Sequence, residues 1–175
     1  MLELDSIKRA YDRVSTVVHR TPFGFAPILS EMSDFEIYLK KENLQRTGAF
    51  KLRGAFNKIA TLVEDNKRGG VVAASAGNHA QGVAFSAKYF GIDATIVMPE
   101  STPLTKVQGV RELGASVILH GGNYDEAYEY AVEFATQREQ DFVHPFVDDE
   151  VIAGQGTVAI EMLEEVEDLD AVIVP

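Results

Sequence analysis

Between residues 71 and 138 the chain alternates, three times over, a short run of apolar or small residues with a longer segment of helical period. Val71 to Ala74 precedes Asn78 to Phe90, Ala94 to Met98 precedes Pro103 to Leu113, and Ser116 to Leu119 precedes Tyr124 to Arg138. A strand that is apolar on every residue must be covered on both faces, which is the habit of parallel sheets sandwiched between helices. Pro103 sits where a helix tolerates proline, at its first turn. Gly91 and Gly114 fall just past two of the helices, where a left-handed cap is common. The fold class that follows is α/β, with an open parallel sheet and helices on both faces.

The flanks are read from the same periodicities. Leu4, Ile7, Tyr11 and Val14 predict a helix from about Asp5 to Val17, ended by Thr21-Pro22. After a loop, Glu36 to Lys40 alternates as a strand, and Leu52, Ala55, Phe56, Ile59 and Leu62 mark a helix over Lys51 to Asn66. Past Asp141 to His144 the chain passes Pro145 and Asp148-Asp149-Glu150 into a helix from about Ile152 to Val166. A strand, Ala171 to Val174, follows before Pro175. A parallel strand with no helix after it leaves one flank of a sheet bare, so the expectation is an N-terminal piece of a longer chain.

Composition narrows the chemistry. Sixteen Lys and Arg against 27 Asp and Glu give a net charge of −11, which argues against general binding to nucleic acid. With no cysteine, disulfides, thiolate metal sites and thiol nucleophiles are excluded. No 18-residue apolar stretch and no secretory leader pattern occur, so the expected setting is cytoplasmic, away from membranes. A chain of 175 residues can bury roughly 70 % of its unfolded surface, enough for one ordinary domain or two small lobes.

Two positions stand out for chemistry. Lys51 follows Thr47-Gly48-Ala49-Phe50 at a strand-to-helix junction, where the helix dipole and nearby Arg53 both disfavour a positive charge. A lowered pKa is what a nucleophilic amine needs; the alternative is a solvated surface lysine. Ser75-Ala76-Gly77-Asn78-His79 follows an apolar strand and opens a helix, presenting free backbone N–H groups where ligands gather in open α/β sheets. That turn either binds an anion or merely caps the helix through Ser75 or Asn78. Gly154-Gln155-Gly156-Thr157-Val158-Ala159 fits the spacing of a dinucleotide fingerprint, but no strand precedes it, so its glycines are read as allowing close packing of the helix start. His19, His79, His120 and His144 show no metal-ligand spacing.

Two stretches together, Glu42-Asn43-Leu44-Gln45-Arg46-Thr47-Gly48-Ala49-Phe50-Lys51-Leu52-Arg53-Gly54-Ala55 and Ser75-Ala76-Gly77-Asn78-His79-Ala80-Gln81-Gly82, resemble the threonine dehydratase (threonine ammonia-lyase) family. That family belongs to the tryptophan-synthase-β-like, fold-type II pyridoxal-phosphate enzymes. Met98-Pro99, Pro103, Lys106 and Val151 to Thr157 extend the resemblance over essentially the whole chain.

The resemblance implies pyridoxal 5′-phosphate held covalently by Lys51, with Phe50 packed beside it and Asn78 hydrogen-bonded to its 3′ oxygen. Ser75, Ala76, Gly77, Asn78 and His79 would take the substrate carboxylate. Residues 1–48 would begin a larger domain, 49–144 form a small α/β domain, and 145–175 return into the larger one. The implied reaction converts L-threonine to 2-oxobutanoate and ammonia, and L-serine to pyruvate, in a homo-oligomer when complete. The piece alone is expected to be inactive, because the family's glycine-rich phosphate loop comes after residue 175. Serine racemases of this fold carry a second serine where this chain has Ala76, so dehydration is expected over racemisation. Ala49 departs from the serine common in the family. A serine racemase, a hydroxyaspartate dehydratase and a non-catalytic interaction domain on the same scaffold remain the alternatives.

Overall fold

The computed structural model describes residues 2–174; Met1 and Pro175 lie outside the described residues. Its centre is a four-stranded parallel sheet of short strands, of which the inner pair, Val71–Ala74 and Ala94–Met98, is the most buried. Strands β3 (Val71–Ala74), β4 (Ala94–Met98), β5 (Ser116–Leu119) and β6 (Asp141–Phe142) pair in the order β5-β4-β3-β6. Val71 to Ala74 lies opposite Ala94 to Val97, and Val71 and Val72 lie opposite Asp141 and Phe142.

Helices cover both faces, as continuous apolar strands require. On one face α4 (Asn78–Phe90) and α5 (Leu104–Glu112) contribute Val83, Ala84, Val107 and Val110 to a core with Val71, Ala73, Ile96 and Met98. On the other, α6 (Tyr124–Gln137) lays Ala127, Ala131 and Ala135 against Val72, Ala74 and Val97. The caps fall where the chain can make them: Gly91 ends α4 at φ +66°, and the Asn123 side chain accepts from the Glu126 N–H at the start of α6.

The remaining helices form a layer against this unit. The first, α1 (Leu4–Val14), packs on α7 (Asp149–Leu163) and α3 (Lys51–Glu64), and α3 packs on both α4 and α7. Helix α3 can touch two neighbours because glycines face its contacts. A Cβ on Gly54 would come within 2.5 Å of the Val151 carbonyl oxygen, and one on Gly154 within 2.5 Å of the Arg53 carbonyl oxygen. Gly154 and Gly156 therefore serve close packing, as the sequence implied, but inside α7 rather than at its start.

The structure differs from the sequence reading at both flanks. Residues read as loop hold β1 (Phe23–Phe25), antiparallel to β2 (Tyr38–Lys40), and the short helix α2 (Pro27–Ser33). Helix α2 is only seven residues long and buries none of them, so its apolar Ile28, Leu29 and Met32 make too short a pattern to mark a helix. Residues 171–174 form no strand: among the described residues nothing pairs with them, and Val172, Ile173 and Val174 are exposed. A strand exists only through its partner, and apolar alternation cannot supply one.

One polar cluster ties the layers together. Arg53, fully buried, sends Nε and Nη2 to Glu42 at 2.9 and 2.8 Å and Nη1 and Nη2 to Glu161 at 2.7 and 3.0 Å. Its remaining Nη1 hydrogen faces the Thr157 hydroxyl at 3.3 Å, and Lys40 Nζ reaches Glu161 from β2. Two cations and two carboxylates thus neutralise one another. Burial alone would raise the Glu161 pKa, but hydrogen bonds from Arg53 and Lys40 outweigh it and hold the group below its ordinary range. Cutting one member strands the others in a dry place. Arg53→Met is expected to cost about 3–5 kcal/mol in urea unfolding at neutral pH. The wild type should lose this contribution as pH falls through the depressed Glu161 titration, whereas the variant has none to lose.

Candidate active site around Lys51

Lys51 is placed by a turn and a helix start. Gly48 takes φ +72°, a left-handed conformation that suits glycine, and its N–H donates to the Gln45 carbonyl at 2.8 Å. Ala49 is buried, Phe50 occupies the N-cap position, and Lys51 is the first residue of α3. Its Nζ donates to the Pro145 carbonyl at 3.0 Å and lies 5.7 Å from the centre of the Phe50 ring. Among the described residues no carboxylate pairs with it. Burial pushes its pKa below the ordinary lysine value. Arg53 has no part in that shift: two positions along a helix turn the side chain by about 200°, and Arg53 points into its carboxylates.

Opposite Lys51 lies the turn after β3. Ser75 N–H donates back to the sheet at Val97, and Ser75 Oγ accepts from Gly77 N–H at 3.2 Å. Ser75 thus serves the turn, yet α4 has no side-chain cap, and the first N–H groups of a helix have no acceptor within it. They point to where an anion would sit. His79 is buried. Its Nε2 donates to the Val143 carbonyl at 2.9 Å, and its Nδ1 has no partner. Burial, opposed by that hydrogen bond and reinforced by nearby Lys51 and His144, pushes the His79 pKa down to about 4, so the ring is neutral at physiological pH.

These groups meet in a cleft of about 430 Å³ beyond the carboxyl end of β3, lined by Phe50, Lys51, Ala74, Ser75, Asn78, His79, Tyr124, Pro145 and Phe146. Of the residues singled out in the sequence, Lys51, Phe50, Ser75, Asn78 and His79 come together. Gly77 stays in the turn behind them, and Ala76 packs against the core. Tyr124, Pro145 and Phe146 were not anticipated. The usable signal was positional, since each follows the carboxyl end of a parallel strand, where such sheets place their ligands. The cleft suits a small aromatic molecule with anionic groups: it has the volume of a ligand pocket, a part-desolvated amine without a counter-ion, an aromatic wall and a helix start. Among the described residues no group of three or more His, Asp or Glu gathers to hold a metal, and no helix is long and apolar enough to cross a membrane.

Comparison with known proteins agrees with this chemistry. A family described as pyridoxal-phosphate dependent enzymes matches residues 14–175. L-threonine ammonia-lyase of Thermotoga maritima is 55% identical over 175 residues, covering 100% of this chain and 44% of that protein. The L-threonine dehydratase catabolic TdcB of Escherichia coli K12 is 44% identical over 172 residues, 98% of this chain and 52% of its own. The chain spans about half the length of the curated relatives it matches. Among solved structures, a pyridoxal 5′-phosphate-dependent aspartate racemase superposes with a TM-score of 0.92 at 37% identity, covering 97% of this chain and 53% of that one. Threonine deaminase isoform 2 from Solanum lycopersicum gives 0.86 at 37%, covering 95% and 47%. The backbone therefore serves lyases and racemases alike, and sequence identity favours the lyases.

An unpaired, part-buried ammonium has a thermodynamic signature. A lysine whose pKa is lower in the folded state binds fewer protons there, so stability rises with pH through the window between its folded and unfolded values. Lys51→Met is expected to match or exceed the wild type in thermal stability at pH 7. The two should converge as the pH approaches the ordinary lysine range, which differential scanning calorimetry at both pH values will read.

Proposed function

The chain belongs to the pyridoxal-phosphate-dependent enzyme family, and on that premise we propose that Lys51 is the cofactor-binding and proton-transferring lysine of an L-threonine ammonia-lyase, acting also on L-serine. The observation that carries the proposal is the lowered amine of Lys51 facing a helix start across one cleft. When bound, pyridoxal phosphate supplies an electron sink for the charge left on the substrate α-carbon. Phe50 and Asn78, which line the cleft, would help to hold the group, Phe50 by packing and Asn78 by a hydrogen bond to its 3′ oxygen. The turn from Ser75 to His79 holds the substrate carboxylate with backbone N–H groups, which orients the α-hydrogen toward Lys51. Lys51 Nζ would accept the α-proton in its neutral form, toward which burial shifts its equilibrium. Loss of the β-hydroxyl and hydrolysis then give 2-oxobutanoate and ammonia, or pyruvate from serine.

On the resemblance, Ala76 stands where racemases of this fold carry a second serine, although its methyl group packs against the core beside the turn and does not line the cleft. Racemisation needs a second acid on the face opposite Lys51, and a methyl group cannot deliver a proton. Residues 1–48 and 145–175 are assigned to a larger domain and 49–144 to a small one, in a homo-oligomer working in the cytoplasm in isoleucine formation or threonine breakdown.

The test uses the full-length protein. Borohydride reduction in the presence of pyridoxal phosphate is expected to fix the cofactor to Lys51, located by peptide mass spectrometry, and Lys51→Ala should lose both the adduct and, by a factor on the order of 10³, threonine turnover. Absence of any adduct would favour the non-catalytic scaffold. Ala76→Ser is expected to gain conversion of L-serine to D-serine; a wild type that racemises serine faster than it dehydrates threonine would defeat the lyase assignment.

A further inference from the structure

The stretch from Val143 to Val147 joins β6 to α7 without regular structure, yet it carries the carbonyl that receives Lys51. Two imidazoles hold it. His79 donates to the Val143 carbonyl from one side. His144 folds back on its own chain, so that Nδ1 accepts the N–H groups of Phe146 and Val147 at 3.2 and 3.0 Å. Pro145, buried between these anchors, has no N–H of its own and receives Lys51 Nζ on its carbonyl oxygen. The His144 ring is clamped by aromatic edges, with Phe146 at 4.6 Å, Tyr128 at 5.7 Å and Phe142 at 6.1 Å between centres.

We propose that His144 is a positioning residue for Lys51: its unprotonated Nδ1 gathers the Phe146 and Val147 N–H groups into a tight turn that aims the Pro145 carbonyl at the lysine amine. Its bearing on catalysis rests on the assignment of Lys51 above. A protonated Nδ1 would be a donor facing two donors, so the turn demands a neutral acceptor. The surroundings favour that state. Burial lowers the His144 pKa against the pull of Asp148, whose carboxylate is itself engaged by Lys58 Nζ at 2.7 Å. The other titratable groups near it are Tyr128 from α6 and, across the turn, the neutral His79, with Lys51 on the neighbouring Pro145 carbonyl. Because the folded pKa is depressed, the turn is intact at neutral pH and is lost as the pH falls below the ordinary imidazole range.

Two substitutions separate the acceptor from the ring. His144→Phe keeps the aromatic packing and removes the acceptor; His144→Asn loses the ring but offers a side-chain oxygen that can accept the same N–H groups and does not titrate. In the full-length protein, amide hydrogen exchange at Phe146 and Val147 is expected to quicken about tenfold in His144→Phe and to stay near wild type in His144→Asn. Competitive acetylation of Lys51 with acetic anhydride reports the amine without the cofactor. Because the Pro145 carbonyl accepts from the ammonium and so favours it, the apparent pKa of Lys51 should fall further below that of free lysine in His144→Phe and be restored in His144→Asn, and the acid limb of the exchange profile should vanish in the asparagine variant. Exchange and acetylation profiles that His144→Phe leaves unmoved, or that His144→Asn fails to restore, overturn the proposal. If those profiles move but borohydride traps no cofactor on the wild type, the functional assignment fails and the positioning role stands. If borohydride traps the cofactor on the wild type but the profiles stay unmoved, the positioning role fails and the functional assignment stands.

Discussion

A guanidinium buried at zero exposure on the same helix that must also carry a reactive amine is the constraint on which the arrangement depends. Arg53 has five N–H donors in a rigid fork, and Glu42, Glu161 and Thr157 meet them all. These partners come from the turn after β2 and from α7, so one side chain sets how both meet α3. Apolar packing sets spacing but tolerates sliding. A bidentate ion pair in a dry interior does not, because every misplaced oxygen leaves a charge unpaired.

The glycines make that geometry reachable. Gly54 and Gly154 let α3 and α7 approach until a methyl group on either would clash with backbone, which brings Glu161, two turns along α7, to the level of Arg53. On the opposite side of α3, a Cβ on Gly82 would stand 3.1 Å from the Lys51 carbonyl oxygen, so α4 also approaches closely, though less so than α7. Helix α3 is thus gripped on two flanks within one turn of Lys51. A reactive amine needs a fixed base, since a displacement of about 1 Å can cost a factor of 10² in rate.

How much of this the sequence disclosed depends on whether a feature is carried by side-chain pattern or by partners distant in the chain. The bounds of β3, α4, β4 and β5 agree residue by residue with the periodicity, because burial on both faces leaves an uninterrupted signal. Helix α1 ends at Val14 although Val17 stays buried, and α7 begins three residues earlier than expected because the Asp148 side chain caps it. Strand β1 is three residues long and exists through β2, and the expected strand over 171–174 fails for want of a partner. In the site, Lys51 and the turn from Ser75 to His79 were legible because glycine, small residues and a helix start have chemical meaning locally. The Pro145 carbonyl was not, since every residue has one and only the fold says which faces an amine. Arg53 is conspicuous for its charge, but local sequence directs that charge at the wrong neighbour, because its carboxylates lie 11 residues before it and 108 after.

The true direction of Arg53 shows how the amine is tuned. Two cations two residues apart on a helix start would raise the cost of charging either, and the simplest expectation is that Arg53 depresses Lys51. The fold arranges the opposite: Arg53 is neutralised by carboxylates on its own side of α3, so its field toward the cleft is largely cancelled. What lowers Lys51 is its own partial desolvation without a counter-ion, beside the Phe50 ring and the neutral imidazole of His79. A pKa set by burial can be reset by whatever enters the cleft. An anion at the Ser75 to His79 turn would favour the ammonium, and an apolar ring against Phe50 would favour the free amine. Burial lowers the cost of losing the proton from this lysine while leaving the cleft's occupant to decide how far, a freedom that a fixed cationic neighbour would have narrowed.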